Sequence, residues 1–439
     1  MHVLIIVQNL PVPLDRRVWL ECQALTRAGY TVSVICPKGP GDPARQFLDG
    51  VTIYKYRPAP QAKGVLGYAW EFAYSWARTA ALSVAAWRRR PFEVLQACNP
   101  PDTFWALAAL WRIRGVKFVY DQHDLNPELF LSRFGTDLSA GQRVQLAGVK
   151  FLERMTYRLA DRVISTNESY RSIAVNRGRV PRRRTAVVRS GPDTQAMRPI
   201  VPDVDVRLGG DALLVYLGIM GPQDDVHVVL EVMDELVHRR GRTGLRAALL
   251  GFGDCLQDLK SQAHELGLDD VVAFPGRVGP AEIAQFLSSA DIGVCPDRKT
   301  PLNDVSTMNK VMEFMAYGLP MVSFDLKESR VSAEDCAIFV PSGDVPGFAD
   351  AVERLLDDPD LRVSMGTRGR TRVVQELDWR PQARSYVGVF DELTGQVRGE
   401  ALPDLAPVSA TSETASRWVN TEDPQEFGQF LRHRGRERQ

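Results

Sequence analysis

The chain lacks a dominant sign of charge: among its 439 residues, 54 Lys and Arg stand against 54 Asp and Glu. That balance removes the global field that a nucleic acid or an acidic polymer would need, so no nucleic-acid partner is expected. Cysteine is sparse as well. Cys22, Cys36, Cys98, Cys255, Cys295 and Cys336 are scattered, with no C-x-x-C pair and no histidine close by. They read as small buried hydrophobes of a reducing compartment, neither disulfide staples nor a zinc site. Long apolar runs are missing too. The opening MHVLIIVQNL has no basic n-region and turns polar at Gln8-Asn9. It reads as a first strand rather than a signal segment, and no stretch reaches the length of a membrane span. A cytoplasmic protein is expected. No D-x-D metal motif stands in a loop suited to it, and Leu249–Asp254 offers a G-x-G without the third glycine of a dinucleotide fingerprint.

What is present is globular. A hydrophobic share of 44% with 25% charged residues is ordinary for a folded protein, and the length exceeds one core and suits two domains. The expected fold class is α/β, with two Rossmann-like halves. His2–Val7 is a continuous apolar strand, Arg17–Ala28 a helix ended by Gly29, and Thr31–Cys36 a second strand. Such a βαβ opening places ligands at the carboxyl ends of the strands. Strands at Val51–Tyr56, Val94–Ala97, Val116–Tyr120, Arg162–Thr166 and Thr185–Val188 continue the half, and Pro199–Gly210 is the linker. The alternation restarts at Ala212–Leu217 and runs to a final helix near Arg380–Val397. The expected division is 1–195 for the first domain, 196–378 for the second, 379–398 for a helix crossing back to the first, and 399–439 for a disordered tail. That tail is poor in large apolar residues, with room for one short helix at Glu426–Arg434.

One stretch organises the chemistry. Pro301–Phe324 reads PLNDVSTMNKVMEFMAYGLPMVSF. The spacing predicts a helix over about Thr307–Tyr317, capped by Asp304 or Ser306 and stopped by Gly318 in the left-handed conformation. Loop residues Asp304, Ser306, Thr307, Met308 and Asn309 lead into the helix N-terminus, whose unpaired N–H groups and dipole suit a phosphate. Lys310 adds a full positive charge, and Glu313, three residues on, is placed to accept from sugar or ribose hydroxyls. The plain alternative is an amphipathic helix with a solvated Lys–Glu pair.

The run N-K-V-M-E-F-M-A-Y-G-L-P-M-V-S resembles the nucleotide-sugar signature of family-4 retaining glycosyltransferases with the GT-B fold. The opening P-L-D-R-R-V-W-L-E-C-Q-A-L-T-R-A-G-Y-T-V-S-V-I resembles that family's first βαβ unit. The resemblance implies two domains facing across a cleft. It implies a nucleotide-sugar donor as co-substrate, no other cofactor and no metal, and a sugar or lipid-linked acceptor, in polysaccharide or glycoconjugate assembly. It places the donor diphosphate at the loop and Lys310, the ribose at Glu313, and the transferred sugar at His123, which follows the strand ending Asp121-Gln122. Gly218, Gly251, Gly276 and Arg277 lie in turns where it implies donor contacts, F-P-G-R-V (Phe274–Val278) resembling its base-binding turn. Arg16 or Arg17 takes the place of a Gly-Gly loop and is a candidate for donor or acceptor contact, against a plain solvated arginine. Asn126, Glu128 and the loop Leu131–Gln142 are candidate acceptor contacts by position. Two departures stand out. The resemblance calls for G-R-x-x-x-x-K-G where this chain reads Gly218-Ile219-Met220-Gly221-Pro222-Gln223-Asp224-Asp225, with neither cation. The first glutamate of the usual Glu-x7-Glu pair falls on Val305, with Asp304 one residue away. Rival readings are a non-catalytic nucleotide-sugar-binding partner subunit and a sugar-nucleotide 2-epimerase.

Gly67–Arg90 carries Tyr68, Trp70, Phe72, Tyr74, Trp76 and Trp87 and closes on Arg88-Arg89-Arg90. A core helix accounts for it. The alternative is a helix lying peripherally on the inner face of the plasma membrane.

Overall fold

The computed structural model describes residues 1–59, 64–396 and 417–434. They form two compact units: Met1–Ser190 with the helix that follows Arg380, and Gly191–Trp379 with the segment 417–434.

The strands of the first unit are β1 (His2–Ile6), β2 (Thr31–Pro37), β3 (Arg45–Leu48), β4 (Val51–Tyr56), β5 (Val94–Cys98), β6 (Lys117–Gln122), β7 (Arg162–Ser165) and β8 (Thr185–Val187). They lie in the order β3-β4-β2-β1-β5-β6-β7-β8 and are parallel except for β3, an antiparallel edge strand. β1 and β5 are buried along their whole length, as continuous apolar strands covered on both faces must be. The chain leaves β1 to one side for β2 and returns on the other for β5, so the order reverses at β1 and β5, and loops at their carboxyl ends converge. The helices are α1 (Arg16–Arg27), α2 (Gly64–Arg89), α3 (Trp105–Arg112), α4 (Asn126–Phe134), α5 (Ala140–Leu159) and α6 (Glu168–Asn176).

In the second unit β9 (Ala212–Ile219), β10 (Leu245–Phe252), β11 (Val272–Gly276), β12 (Ile292–Cys295), β13 (Met321–Phe324) and β14 (Ala337–Val340) form a parallel sheet in the order β11-β10-β9-β12-β13-β14. Its reversal falls between β9 and β12. Helices α7 (His227–Asp234), α8 (Leu256–Glu265), α9 (Pro280–Ser289), α10 (Asn309–Ala316), α11 (Lys327–Ala333), α12 (Val345–Asp357) and α13 (Pro359–Arg372) cover it. The short α11 and β14 were not anticipated from the sequence. α14 (Trp379–Thr394) belongs with the first unit from Arg380 onward. Its Tyr386 hydroxyl donates to Gln96 Oε1 at 2.6 Å, and Tyr30 donates to Asp391 at 2.6 Å.

Two expectations need correction. The described part of the tail, 417–434, is ordered: the short helix expected at Glu426–Arg434 is present as α15 (Pro424–Arg432), capped by Asp423, and packs Phe427, Phe430 and Leu431 with Val419. These apolar residues fall at helical spacing, but they have nothing to bury against until Gly318 and the α13 surface come near. The rest of the expected tail lies outside the described residues, as do 397 and 398 of the expected crossover helix. Second, Leu131–Gln142 is not one mobile loop. α4 runs to Phe134, and α5 starts at Ala140 behind a capping box between Ser139 and Gln142, which leaves five residues between them.

Candidate functional site

α10 starts at Asn309, two residues later than the spacing predicts, and Met308 at its N-cap position supplies no side-chain hydrogen bond. Neither expected cap acts as one. Asp304 accepts from the Lys327 N–H at 2.9 Å and pairs with Lys299 at 3.3 Å, tying the loop to α11. Ser306 donates backwards to the Leu302 carbonyl at 2.8 Å. Thr307 and Met308 lead into the helix, and Asn309 is its first residue. Gly318 does end the helix region with φ +59°. The C-terminal carbonyls of this helix region are met by buried guanidinium groups: Arg370 donates to the Ala316 carbonyl at 2.7 Å, and Arg434 to that of Tyr317.

Lys310 is not solvated. Its ammonium lies 2.7 and 2.9 Å from the two Asp297 carboxylate oxygens and 4.9 Å from the centre of the Tyr216 ring, with both charged side chains buried. Burial alone would lower the lysine's pKa. Asp297, Tyr216 and Asp224 outweigh it and hold the pKa above its ordinary value. Glu313 is buried on the same helix. Gly218, at the end of β9, is pressed against this group: a Cβ there would lie 2.9 Å from the Tyr216 hydroxyl and 3.4 Å from Lys310 Cε. Gly251 on β10 backs the same turn, since a Cβ there would overlap the Gly218 carbonyl oxygen at 1.9 Å. Gly276 closes β11, and the exposed Arg277 stacks its guanidinium 5.2 Å from the Phe252 ring centre.

The loop Gly218–Asp225 confirms the two substitutions in three dimensions. Ile219 is 45% exposed where the resemblance calls for arginine. Asp224 stands where it calls for lysine; its carboxylate accepts from the Gly221 N–H at 2.9 Å and from Gln223 Nε2 at 3.2 Å. Burial pushes Asp224 up to about 6, against the pull of Lys310. Asp225 holds φ +47°, a left-handed conformation at the position where the resemblance has glycine. The loop carries a carboxylate, Asp224, where the resemblance calls for a cation.

In the first unit, His123 follows β6 directly. The Asn99 side chain ties the loop down, accepting from the His123 and Asp124 N–H groups at 2.7 and 3.1 Å and donating to the Asp124 carbonyl. Imidazole Nε2 lies 2.7 Å from Asp121 Oδ2 and 3.2 Å from Arg17 Nε. The two contacts need opposite tautomers. Arg17 is neither a solvated arginine nor a surface contact. It donates to Asp121 Oδ1 at 3.0 Å, to the Val188 carbonyl at 2.9 Å and to Ser190 Oγ at 2.9 Å. Arg16 is exposed at the start of α1. Glu21 Oε1 lies 3.0 Å from Arg17 Nε as an ion pair, yet it makes no hydrogen bond there, because that N–H points toward His123. Gln96 bridges the carboxyls, donating to Glu21 at 2.9 Å and to Asp121 at 3.1 Å. Burial and the Asp121 charge push Glu21 well above the usual carboxylate range. Burial alone would raise Asp121 too, but Arg17 and His123 hold it well below that range. Of the two carboxyls, Glu21 is therefore the one that takes up a proton more readily. Glu21, Cys98, Asp121 and His123 bring potential ligand atoms within 4.8 Å of one another, and the Arg17 guanidinium supplies the positive charge in that group.

Asp297, Asp121, Glu21 and Gln96 escaped sequence reading. Asp121 had a signal, standing two residues before His123 so that both reach one strand end; Asp297 had only its place after β12. Asn126 donates to Asp102 at 2.6 Å, and Glu128 pairs with Arg177.

Two doubly wound sheets with a phosphate-type loop and helix in the second define the GT-B class of glycosyltransferases. The fold is shared with a sucrose-phosphate synthase from Thermosynechococcus elongatus, at a TM-score of 0.73 and 18% identity over 90% of this chain and 100% of that one. It is shared too with Anabaena HepE solved with UDP-glucose, at a TM-score of 0.65 and 15% identity over 90% and 100%. Residues 14–196 match the profile described as Glycosyltransferase Family 4, and residues 211–358 the one described as Glycosyl transferases group 1. The chain belongs to this family, the family-4, group-1 glycosyltransferases. It is similar to an alpha-D-kanosaminyltransferase of Streptomyces kanamyceticus, 28% identical over 64% of this chain and 72% of that protein. It also resembles a GDP-mannose-dependent phosphatidylinositol monomannoside mannosyltransferase of Mycobacterium tuberculosis, 29% identical over 39% of this chain and 46% of the relative, so the match spans less than half of that protein. Among the described residues no helix is long and apolar enough to cross a membrane.

Proposed function

We propose that the protein transfers a glycosyl group from a nucleotide-sugar donor to a sugar or lipid-linked acceptor, with retention and without a metal, in polysaccharide or glycoconjugate assembly. The observation that carries the reading is the buried Lys310 ammonium, held by Asp297 beside Gly218 and near the start of α10. A leaving diphosphate gathers negative charge as its bond to the anomeric carbon lengthens. A fixed ammonium and helix N–H groups stabilise that charge with little reorganisation. Glu313, one turn along, serves the nucleotide hydroxyls. His123 serves the transferred sugar. The acceptor attacks from the face the diphosphate leaves, with the departing phosphate as base. HepE was solved with UDP-glucose and one relative is named for GDP-mannose, which supports a sugar nucleotide as donor.

Lys310→Met is expected to lower release of nucleotide from the donor by roughly 100- to 1,000-fold. Lys310→Met also strands Asp297, so the double variant Lys310→Met/Asp297→Asn separates chemistry from folding. A double variant that melts near wild type and still turns over at the wild-type rate would refute the proposal. Thermal shifts against UDP, GDP, ADP and CDP identify the base. Asp224, standing in place of a lysine, favours a second reading, a donor-binding subunit without turnover. That reading wins where wild type binds a nucleotide yet consumes no sugar nucleotide.

A further inference from the structure

α2, α3, α4 and α5 lie side by side in the first unit. Trp111 of α3 donates its indole N–H to Ser83 of α2 at 3.0 Å and stacks on Trp87 at 4.8 Å between centroids, and α5 packs against both α3 and α4. The aromatics read from the sequence of α2 therefore divide. Trp87 is core, while Trp70 is 61% exposed and Phe72 39%.

α5 shows the pattern most clearly. Its outward face carries Val144 at 73% exposure and Phe151 at 56%, set among the exposed Arg143, Lys150, Arg154 and Arg158. These positions recur three and four residues apart, one side of a helix. The acid of α5, Glu153, is turned inward and paired with Arg177. Beside it, just past α3, Ile113 is 81% exposed next to the exposed Arg114, while Arg112 is paired with Asp161 at 3.1 Å. None of the exposed side chains described on α2, α3, α4 and α5 is acidic, although the whole chain carries as many acids as bases. Large apolar side chains left in water beside bases, with no exposed acid on the helices that carry them, match one kind of surface: anionic headgroups over an apolar interior.

We propose that this four-helix face docks on the surface of a bilayer containing anionic phospholipid, with Phe151 and Ile113 entering the headgroup region and the arginines and Lys150 pairing with phosphates. α5 and the end of α3 form its centre, and α2 extends it.

The test is sedimentation of the full-length protein with vesicles of phosphatidylcholine alone and with vesicles of phosphatidylcholine plus phosphatidylglycerol. Binding is expected only to the second, weakened but not abolished by salt. Each base near the surface contributes about fivefold in partition, so Lys150→Ala/Arg154→Ala should lower it roughly 25-fold. Phe151→Ser/Ile113→Ser should lower it roughly tenfold. The control Arg239→Ala/Lys260→Ala, exposed bases of the second unit, should leave it unchanged. Equal partition to the two vesicle types overturns the proposal, and so does a control pair as damaging as the α5 pair. Serine variants that bind like wild type also overturn it, because the face would then be reading polyanions rather than a bilayer.

Discussion

Lys310 in the second unit and His123 in the first are each held by a carboxylate close at hand, Asp297 in one case and Asp121 in the other, yet the two groups carry different surplus charge. Around His123 the acids Glu21 and Asp121 face one permanent cation, Arg17, and the surplus raises the proton affinity of Glu21. Around Lys310 the pairing with Asp297 is one to one, and the extra acid, Asp224, sits at the rim of the loop where its carboxylate takes the Gly221 N–H. The first arrangement fixes a ring: Asp121, Arg17 and the Asn99 clamp leave the imidazole little freedom. The second leaves an acid near the place where a phosphate would lie. Buried ion pairs contribute more to geometry than to stability, because desolvation offsets most of the Coulomb gain, so each group is best read as a means of placement.

The comparison breaks most visibly at Arg17. Arg17→Met strands the buried Asp121 and should cost about 3–5 kcal/mol of stability, read as a lowered denaturation midpoint. A cost under about 1 kcal/mol would mean that the network is hydrated and does not fix His123. Asp224→Asn tests the second group, with a smaller effect. With its pKa raised to about 6, Asp224 is mostly charged at neutral pH and becomes neutral as pH falls through that value. Wild-type affinity for a nucleoside diphosphate should thus rise several-fold from pH 7 to pH 5, by the removal of a like charge. The asparagine variant should bind more tightly at pH 7 and show a flatter profile. Parallel profiles for the two proteins, measured by calorimetry, would remove Asp224 from the donor site. The smallest effect belongs to Glu21→Gln. A carboxyl already protonated loses no charge on this change, so stability should move by less than about 1 kcal/mol. A loss as large as that of Arg17→Met would place the proton elsewhere.

Most strands and their order of appearance are legible in the sequence, because parallel strands buried on both faces are short apolar runs bounded by turn residues. Met321–Phe324, Ile292–Cys295 and Val51–Tyr56 fall where the pattern puts them. Lys310 and Glu313 are legible as candidates because a polar loop runs into a helix start, and His123 because it directly follows a strand in a stretch that resembles the family. Asp304 and Ser306 are of residue types that cap helices, but the choice between a helix N–H and Lys327 depends on α11, whose Lys327 lies 23 residues beyond Asp304. The helix of the tail is legible from its spacing, whereas its docking is not, because Phe427, Phe430 and Leu431 are too few to make a core alone.

The sequence by itself determined the two α/β alternations, the glycine stop of α10, and the absence of cations from the Gly218–Asp225 loop, since each is a matter of local pattern or identity. Only the tertiary structure decided that Lys310 is neutralised by Asp297, that Arg17 braces His123, and that α5 turns its bases and Phe151 outward together. Those facts depend on which strand ends and helix faces meet, and charge pairing and exposure exist only once distant parts of the chain have been packed.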